Sequence, residues 1–163
     1  MIAFLDASAL IYLVDGEARW AEATQATLHQ LAVEAPDLPL AVSRLSLLEC
    51  RVAPLRRGDQ ACLDRFEALF AQPDLLVVEL SASVVELATQ LRANHGLRTP
   101  DALQAACCLQ LGPDAVMITG DAGFQRVQAL QVRLIACASM VMAELEQSGH
   151  SLQTPSLVIH DLS

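Results

Sequence analysis

The chain has 163 residues, 53% of them hydrophobic, and a formal net charge of −9. That length suits one domain with a substantial core, and no apolar run approaches the length of a membrane span. The acidic balance excludes a broad electrostatic grip on nucleic acid. All ten basic residues are arginines, which excludes chemistry that needs lysine, the Walker A phosphate loop and Schiff bases included.

The elements alternate between short apolar strands and helical patterns. The first strand is IAFL (2–5), and Asp6 follows it in FLDASAL. This start has no basic region and an acid at position 6, unlike a signal peptide. Asp6 or Ser8 can cap a short helix beginning near Ala9. A helix over 18–34 leads to a second strand, LPLAV (38–42), and a helix over 43–56. In that helix Leu45, Leu48, Val52 and Leu55 form an apolar stripe at helical spacing, and Glu49 borders it. An acid beside a buried stripe needs a partner, an arginine or a metal ion, because an unpaired buried charge is costly.

A helix over 59–71, a strand at LLVVEL (75–80) and a helix over 82–94 come next. The helix over 100–111 starts in LRTPDALQAA, where Thr99 suits the N-cap, Pro100 the first helical position and Asp101 the first turn. The strand AVMIT (115–119) precedes Asp121, which can cap a short helix over 122–130. A fifth strand is expected at VRLIA (132–136), a helix at 138–147 and a short strand at LVIH (157–160). Strands that are apolar throughout and alternate with helices predict an α/β fold of three layers around a parallel sheet. The five cysteines (50, 62, 107, 108, 137) show no C-x-x-C spacing and no nearby histidine. They are read as reduced, buried thiols of a cytoplasmic protein, with no zinc site.

In a parallel sheet the residues just after the strands gather along the carboxyl edge, where the ligand crevice lies. Asp6 and Asp121 occupy such positions, and Glu49 and Asp101 sit on helices able to lean over the same crevice. Capping alone accounts for Asp6, Asp101 and Asp121 but not for Glu49. Four carboxylates brought together without lysine repel one another, and Mg2+ or Mn2+, which prefer hard oxygen ligands, relieve that repulsion. Such a cluster is a standard device for phosphodiester hydrolysis.

Four segments in order resemble the motifs of the PIN-domain family, in particular the VapC toxins of bacterial toxin–antitoxin pairs. They are FLDASALIYLVDGE, LSLLECRV with its helical glutamate, TPDALQAACCLQLG and ITGDAGFQRV, together spanning about residues 2–136. The resemblance implies a Rossmann-like sheet of order 3-2-1-4-5 and a Mg2+- or Mn2+-dependent ribonuclease. By matching position, Asp6, Glu49, Asp101 and Asp121 form the metal-binding catalytic site, with Ser8 and Thr119 as secondary polar groups. Arg44, Arg51, Arg98 and Arg126, within or beside the motifs, are candidate phosphate contacts. The resemblance further implies an RNA substrate, a cognate antitoxin and a homodimer. Apolar and small residues in the helices between 18 and 71 also favour a homodimer, since an acidic protein needs a hydrophobic patch to self-associate. The chain departs from the family at Gln104, where many relatives carry histidine. It also extends beyond the usual minimal domain, which is placed at 1–137, with a C-terminal helix and tail over 138–163.

Three other readings are weighed. An aspartyl-nucleophile phosphatase needs a second acid two residues after the first and a later lysine, but position 8 is serine and lysine is absent. A catalytically idle PIN-fold binding or scaffold module differs from a nuclease in lacking metal-dependent cleavage. A purely structural α/β protein leaves Glu49 unexplained.

Overall fold

A computed structural model describes residues 1–136. Cys137, the expected helix at 138–147, the expected strand at 157–160 and the proposed C-terminal segment 138–163 all lie outside the described residues. The strands are β1 (Ile2–Leu5), β2 (Leu40–Ser43), β3 (Leu76–Val78), β4 (Ala115–Thr119) and β5 (Gln131–Leu134). The helices are α1 (Ala7–Asp15), α2 (Ala18–Glu34), α3 (Arg44–Arg57), α4 (Gln60–Phe70), α5 (Ala82–His95) and α6 (Thr99–Gln110). A 3-10 turn covers Ala122–Arg126, shorter than the helix expected over 122–130.

All five strands run parallel in the order β3-β2-β1-β4-β5. Alternate side chains of each strand feed two cores, as the pleat demands. Phe4, Ala41 and Met117 face α5 and α6, whereas Leu5, Val42 and Ile118 face the side that holds Leu10, Leu31 and Phe66. This two-sided burial explains why the strands read as continuous apolar runs. The chain winds outward from β1 to β3, then returns to β4 on the other side of β1. The switch point therefore lies between the carboxyl ends of β1 and β4, where a ligand crevice is expected.

Some boundaries shift for local reasons. α1 begins at Ala7 rather than near Ala9, because Asp6 itself is the N-cap. β2 begins at Leu40, two residues later than expected, after Pro39, which has no N–H to donate to a ladder. Thr99 is not the cap of α6; Arg98 holds that position without a side-chain cap bond, and the Thr99 hydroxyl instead accepts from Arg92 at 2.6 Å.

The larger correction concerns α3. Its buried face is Ser46, Leu47, Cys50 and Pro54; of the expected stripe, Leu45 and Val52 are half-buried, whereas Leu48 and Leu55 are 60% and 62% exposed. The small side chains of Ser46 and Cys50 let α3 pack closely beside α6 and α1, with Leu47 buried between them in sequence and Leu48 and Leu55 turned outward.

The turn between α5 and α6 delivers Asp101 to the carboxyl edge. Gly96 ends α5 with φ +65°, and its N–H donates to the Arg92 carbonyl at 3.0 Å. A β-carbon at Gly96 meets nothing within 4 Å, so replacement by alanine carries only the left-handed backbone penalty. Gly96→Ala is expected to lower stability by about 1 kcal/mol. A urea unfolding midpoint equal to or above that of the wild type would contradict this.

Candidate active site

The site is assembled around Asp6, which leaves β1 in extended conformation and caps α1. Its Oδ1 accepts from the Ser8 hydroxyl at 2.6 Å and from the Ala9 amide at 3.0 Å. Its Oδ2 accepts from the Thr119 hydroxyl at 2.7 Å, across the switch point from the end of β4. The Thr119 hydroxyl oxygen in turn accepts from the Asp121 amide at 3.0 Å. Asp121 caps the 3-10 turn, its Oδ1 accepting from the Gly123 amide at 2.7 Å. The Ser8 hydroxyl oxygen accepts from the Gly120 amide at 2.9 Å, closing the lattice between the two strand ends.

Glu49 enters from α3, whose N-cap is Ser43 at the end of β2. The sequence calls for an arginine or a metal ion beside this acid; its protein partner is the carboxamide of Gln104. Gln104 Nε2 donates to Glu49 Oε2 at 2.7 Å and to the Ser46 hydroxyl at 3.1 Å. Gln104 Oε1 accepts from the Ser43 hydroxyl at 2.7 Å. Gln104 is 3% exposed and lies one helical turn after Asp101 on α6. The i, i+3 spacing puts Gln104 on the same face of α6 as Asp101, but no pattern in the sequence pairs it with Glu49. Asp101 pairs with Arg98, whose Nε donates to Asp101 Oδ2 at 2.9 Å.

Asp6, Ser8, Glu49, Arg98, Asp101 and Asp121 line one crevice of about 240 Å³, together with Gln104. All four acids singled out in the sequence are brought together there. Thr119 lies beneath them, fully buried. Burial pushes the Asp6 carboxyl above its ordinary range, against the lowering effect of its hydrogen bonds. Burial also raises Glu49; the Gln104 bond opposes that rise, and the negative charges of Asp6 and Asp101 reinforce it. The site therefore stores like-charge repulsion that a cation relieves.

The donor set fits a hard divalent cation. Among the described residues, Glu49 Oε1, Asp101 Oδ1 and Asp121 Oδ2 accept no hydrogen bond, while the second oxygen of each is anchored. Asp6, Glu49, Asp101 and Asp121 would hold Mg2+ or Mn2+ through carboxylate oxygen, with water completing the shell.

A tighter group lies elsewhere. Asp15, Asp59 and Cys62 bring ligand atoms within 4.8 Å of one another. Arg57 occupies that position, with Nη2 at 2.7 Å from Asp15 and 3.2 Å from Asp59, so this is an ion-pair network. Burial raises the Cys62 thiol and pushes Cys50 and Cys108 up to about 12, which keeps them protonated as expected for structural thiols.

The four candidate phosphate-binding arginines separate. Arg44 pairs with Glu79 and Arg51 with Glu67, and neither lines the crevice. Arg98 lies on its wall. Arg126 lines an adjoining cavity and makes no ion pair among the described residues.

A parallel α/β domain with a carboxylate cluster at its switch point defines the class. Residues 3–130 match the model of the PIN domain, and the chain belongs to that family. No curated protein matches the chain in sequence. Among solved structures, the chain is similar to one in VapBC2 from Rickettsia felis bound to a DNA fragment from their promoter. The TM-score is 0.63 and the identity 19%, covering 83% of this chain and 100% of that one. It is also similar to a chain of VapBC-1 from nontypeable Haemophilus influenzae, with a TM-score of 0.62 at 22% identity over 82% and 98% of the two chains. A toxin–antitoxin complex from Klebsiella pneumoniae gives 0.57 at 21% identity over 82% and 98%. These likenesses confirm the fold. Among the described residues no helix is long and apolar enough to cross a membrane.

The raised acids set a pH dependence. Asp6 and Glu49 bind a proton more tightly in the folded than in the unfolded chain. Between the ordinary carboxylate range and their raised values the folded state holds more protons, so stability falls as pH rises through that window and then levels off. The metal-free protein is expected to melt at higher temperature just above the ordinary carboxylate range than at alkaline pH. A further drop in pH reverses the trend as Asp59 and Glu79, held low by the Ala61–Cys62 turn amide and by Arg44 respectively, become protonated. Melts in EDTA that are flat or rise from mildly acid to alkaline pH would contradict the assignment.

Proposed function

We propose that the chain is a Mg2+- or Mn2+-dependent endoribonuclease that cuts single-stranded or looped RNA, and that it acts as the toxin of a toxin–antitoxin pair. The observation that carries this reading is the convergence of Asp6, Glu49, Asp101 and Asp121 in one crevice of a PIN-family domain that contains no lysine. The fold likeness to chains of toxin–antitoxin complexes supports the biological role.

The chemistry is hydrolysis of a phosphodiester. Water adds to phosphorus, the bond to a leaving ribose oxygen breaks, one proton leaves the water and one joins the leaving oxygen. Asp6, Glu49, Asp101 and Asp121 would hold a divalent cation, which would activate that water and neutralise charge developing on the phosphate. The residues of the chain orient the ligands. Gln104 fixes Glu49 by one oxygen and leaves the other open, and Ser8 and Thr119 hold Asp6 at the strand ends. Arg98 counters the acids when no cation is present.

For partners, the reading includes a homodimer and a cognate antitoxin. The exposed Leu48 and Leu55, two turns apart on α3, support an apolar contact with another protein. Light scattering at micromolar concentration is expected to give a dimeric mass, reduced by Leu48→Glu with Leu55→Glu. A monomeric wild type would overturn the dimer.

The activity test combines cleavage with melting. The purified chain is expected to cut single-stranded RNA with Mn2+ and to stop in EDTA; cleavage insensitive to EDTA would sink the mechanism. Glu49→Gln keeps an acceptor for Gln104 and removes a charge facing Asp6 and Asp101. The metal-free variant should therefore melt at or above the wild-type temperature, while cleavage falls by at least about a hundredfold. The stabilisation by Mn2+ should shrink as well, because a ligand specific to the native state raises stability by mass action. A destabilised variant that cleaves at the wild-type rate would remove Glu49 from the site.

A further inference from the structure

A second cavity, of about 250 Å³, adjoins the acid crevice. Arg98, Asp101, Asp121 and Phe124 line both, so one surface runs from the carboxylates into it. Its remaining wall is Gly96, Leu97, Gly123 and Arg126. The volume is below the range of pockets that enclose whole small molecules. It suits a sugar–phosphate unit of a strand that continues past the carboxylates.

The arginines of the chain make this cavity distinctive. Arg19, Arg44, Arg51, Arg57, Arg98 and Arg133 are in ion pairs. Of those without an ion pair among the described residues, Arg126 alone lines a cavity that shares residues with the acid crevice. Gly123 makes room for its head group: a β-carbon there would lie 3.1 Å from Arg126 Nη2 and 2.9 Å from Asp121 Oδ1. The guanidinium is thus seated beside a site acid yet forms no ion pair with it. Arg98, which also lines the cavity, pairs with Asp101 while 79% exposed, a pairing weak enough to exchange for another anion. An anionic strand crossing four carboxylates on a chain of net charge −9 needs local cations, because the global field repels it.

We infer that this cavity is a phosphate subsite for the RNA nucleotide flanking the scissile bond, with Arg126 as its standing contact and Arg98 as its second. The inference rests on the nuclease reading for the direction of the strand, whereas the subsite itself predicts RNA binding without cleavage. Arg44 and Arg51 fall outside the path of the strand.

The test uses the full chain and a fluorescent single-stranded oligoribonucleotide. Binding is followed by anisotropy in EDTA over a series of salt concentrations, and cleavage with Mn2+ is measured in parallel. Arg126→Gln is expected to weaken binding about tenfold. It should also reduce the slope of log affinity against log salt by about 0.7, the value for one phosphate contact to a single strand. With Mn2+ it should raise KM and leave kcat near wild type, the signature of lost uniform binding. Arg133→Gln, which removes the same charge outside both cavities, should match the wild type in affinity and slope.

Wild-type affinity, slope and KM in Arg126→Gln would overturn the subsite while leaving the nuclease reading intact. Equal losses in Arg126→Gln and Arg133→Gln would also overturn it, since they would report net charge alone. Loss of binding confined to Arg126→Gln in a protein that cleaves no RNA would uphold the subsite and refute the nuclease reading. A wild type that neither binds nor cleaves RNA would overturn both.

Discussion

The carboxylate of Asp6 is buried where β1 and β4 diverge, and it is held there by a hydroxyl from α1, an amide from α1 and a hydroxyl from β4. Burying an ionisable group in this way is costly unless charged oxygen meets several donors. Meeting that demand has structural consequences. It fixes where α1 starts, it ties the carboxyl ends of two adjacent strands together, and through Thr119 it sets the amide that orients Asp121. The crevice at the switch point is the space left when these requirements are satisfied together.

The other half of the site is built on close packing. α3 turns its small residues Ser46 and Cys50 inward and leaves Leu48 and Leu55 exposed. That rotation brings Glu49 over the crevice and places Ser43 and Ser46 against Gln104 of α6. A single carboxamide thereby connects the end of β2, the start of α3, α6 and a site acid. Glu49 and Asp6 remain strained electrostatically, both pushed upward by burial, with Glu49 also facing the charges of Asp6 and Asp101. Local strain of this kind marks sites where function rather than stability selects the residue.

Charge is distributed unevenly over the molecule. Arg44, Arg51, Arg57 and Arg133 pair with acids on other elements, and the ion pair of Arg57 with Asp15 and Asp59 ties α1 to the end of α3. Arg98 and Arg126 stand instead beside the carboxylate crevice. Likeness of fold at about one-fifth identity accords with this economy, since few positions carry the site and the remainder need only preserve apolar strands and helix faces.

The sequence by itself determined the parallel α/β architecture, because two-sided burial writes itself as continuous apolar runs separated by helical patterns. It also singled out the four acids that the fold gathers in one crevice. Asp6 and Asp121 follow strands, Asp101 opens a helix, and Glu49 had no local explanation. The segment beyond residue 136 falls outside what the structure describes. Only the tertiary structure decided which face of α3 is buried, because hydropathy ranks Leu48 and Leu55 above Ser46 and Cys50 whereas close packing beside α6 favours the small side chains at those two positions. Only the tertiary structure identified Gln104 as the partner of Glu49, a pairing across 55 residues of sequence that no local pattern encodes. It also separated the arginines, since whether a guanidinium meets an acid or a cavity depends on neighbours brought together by folding and not on its place in a motif.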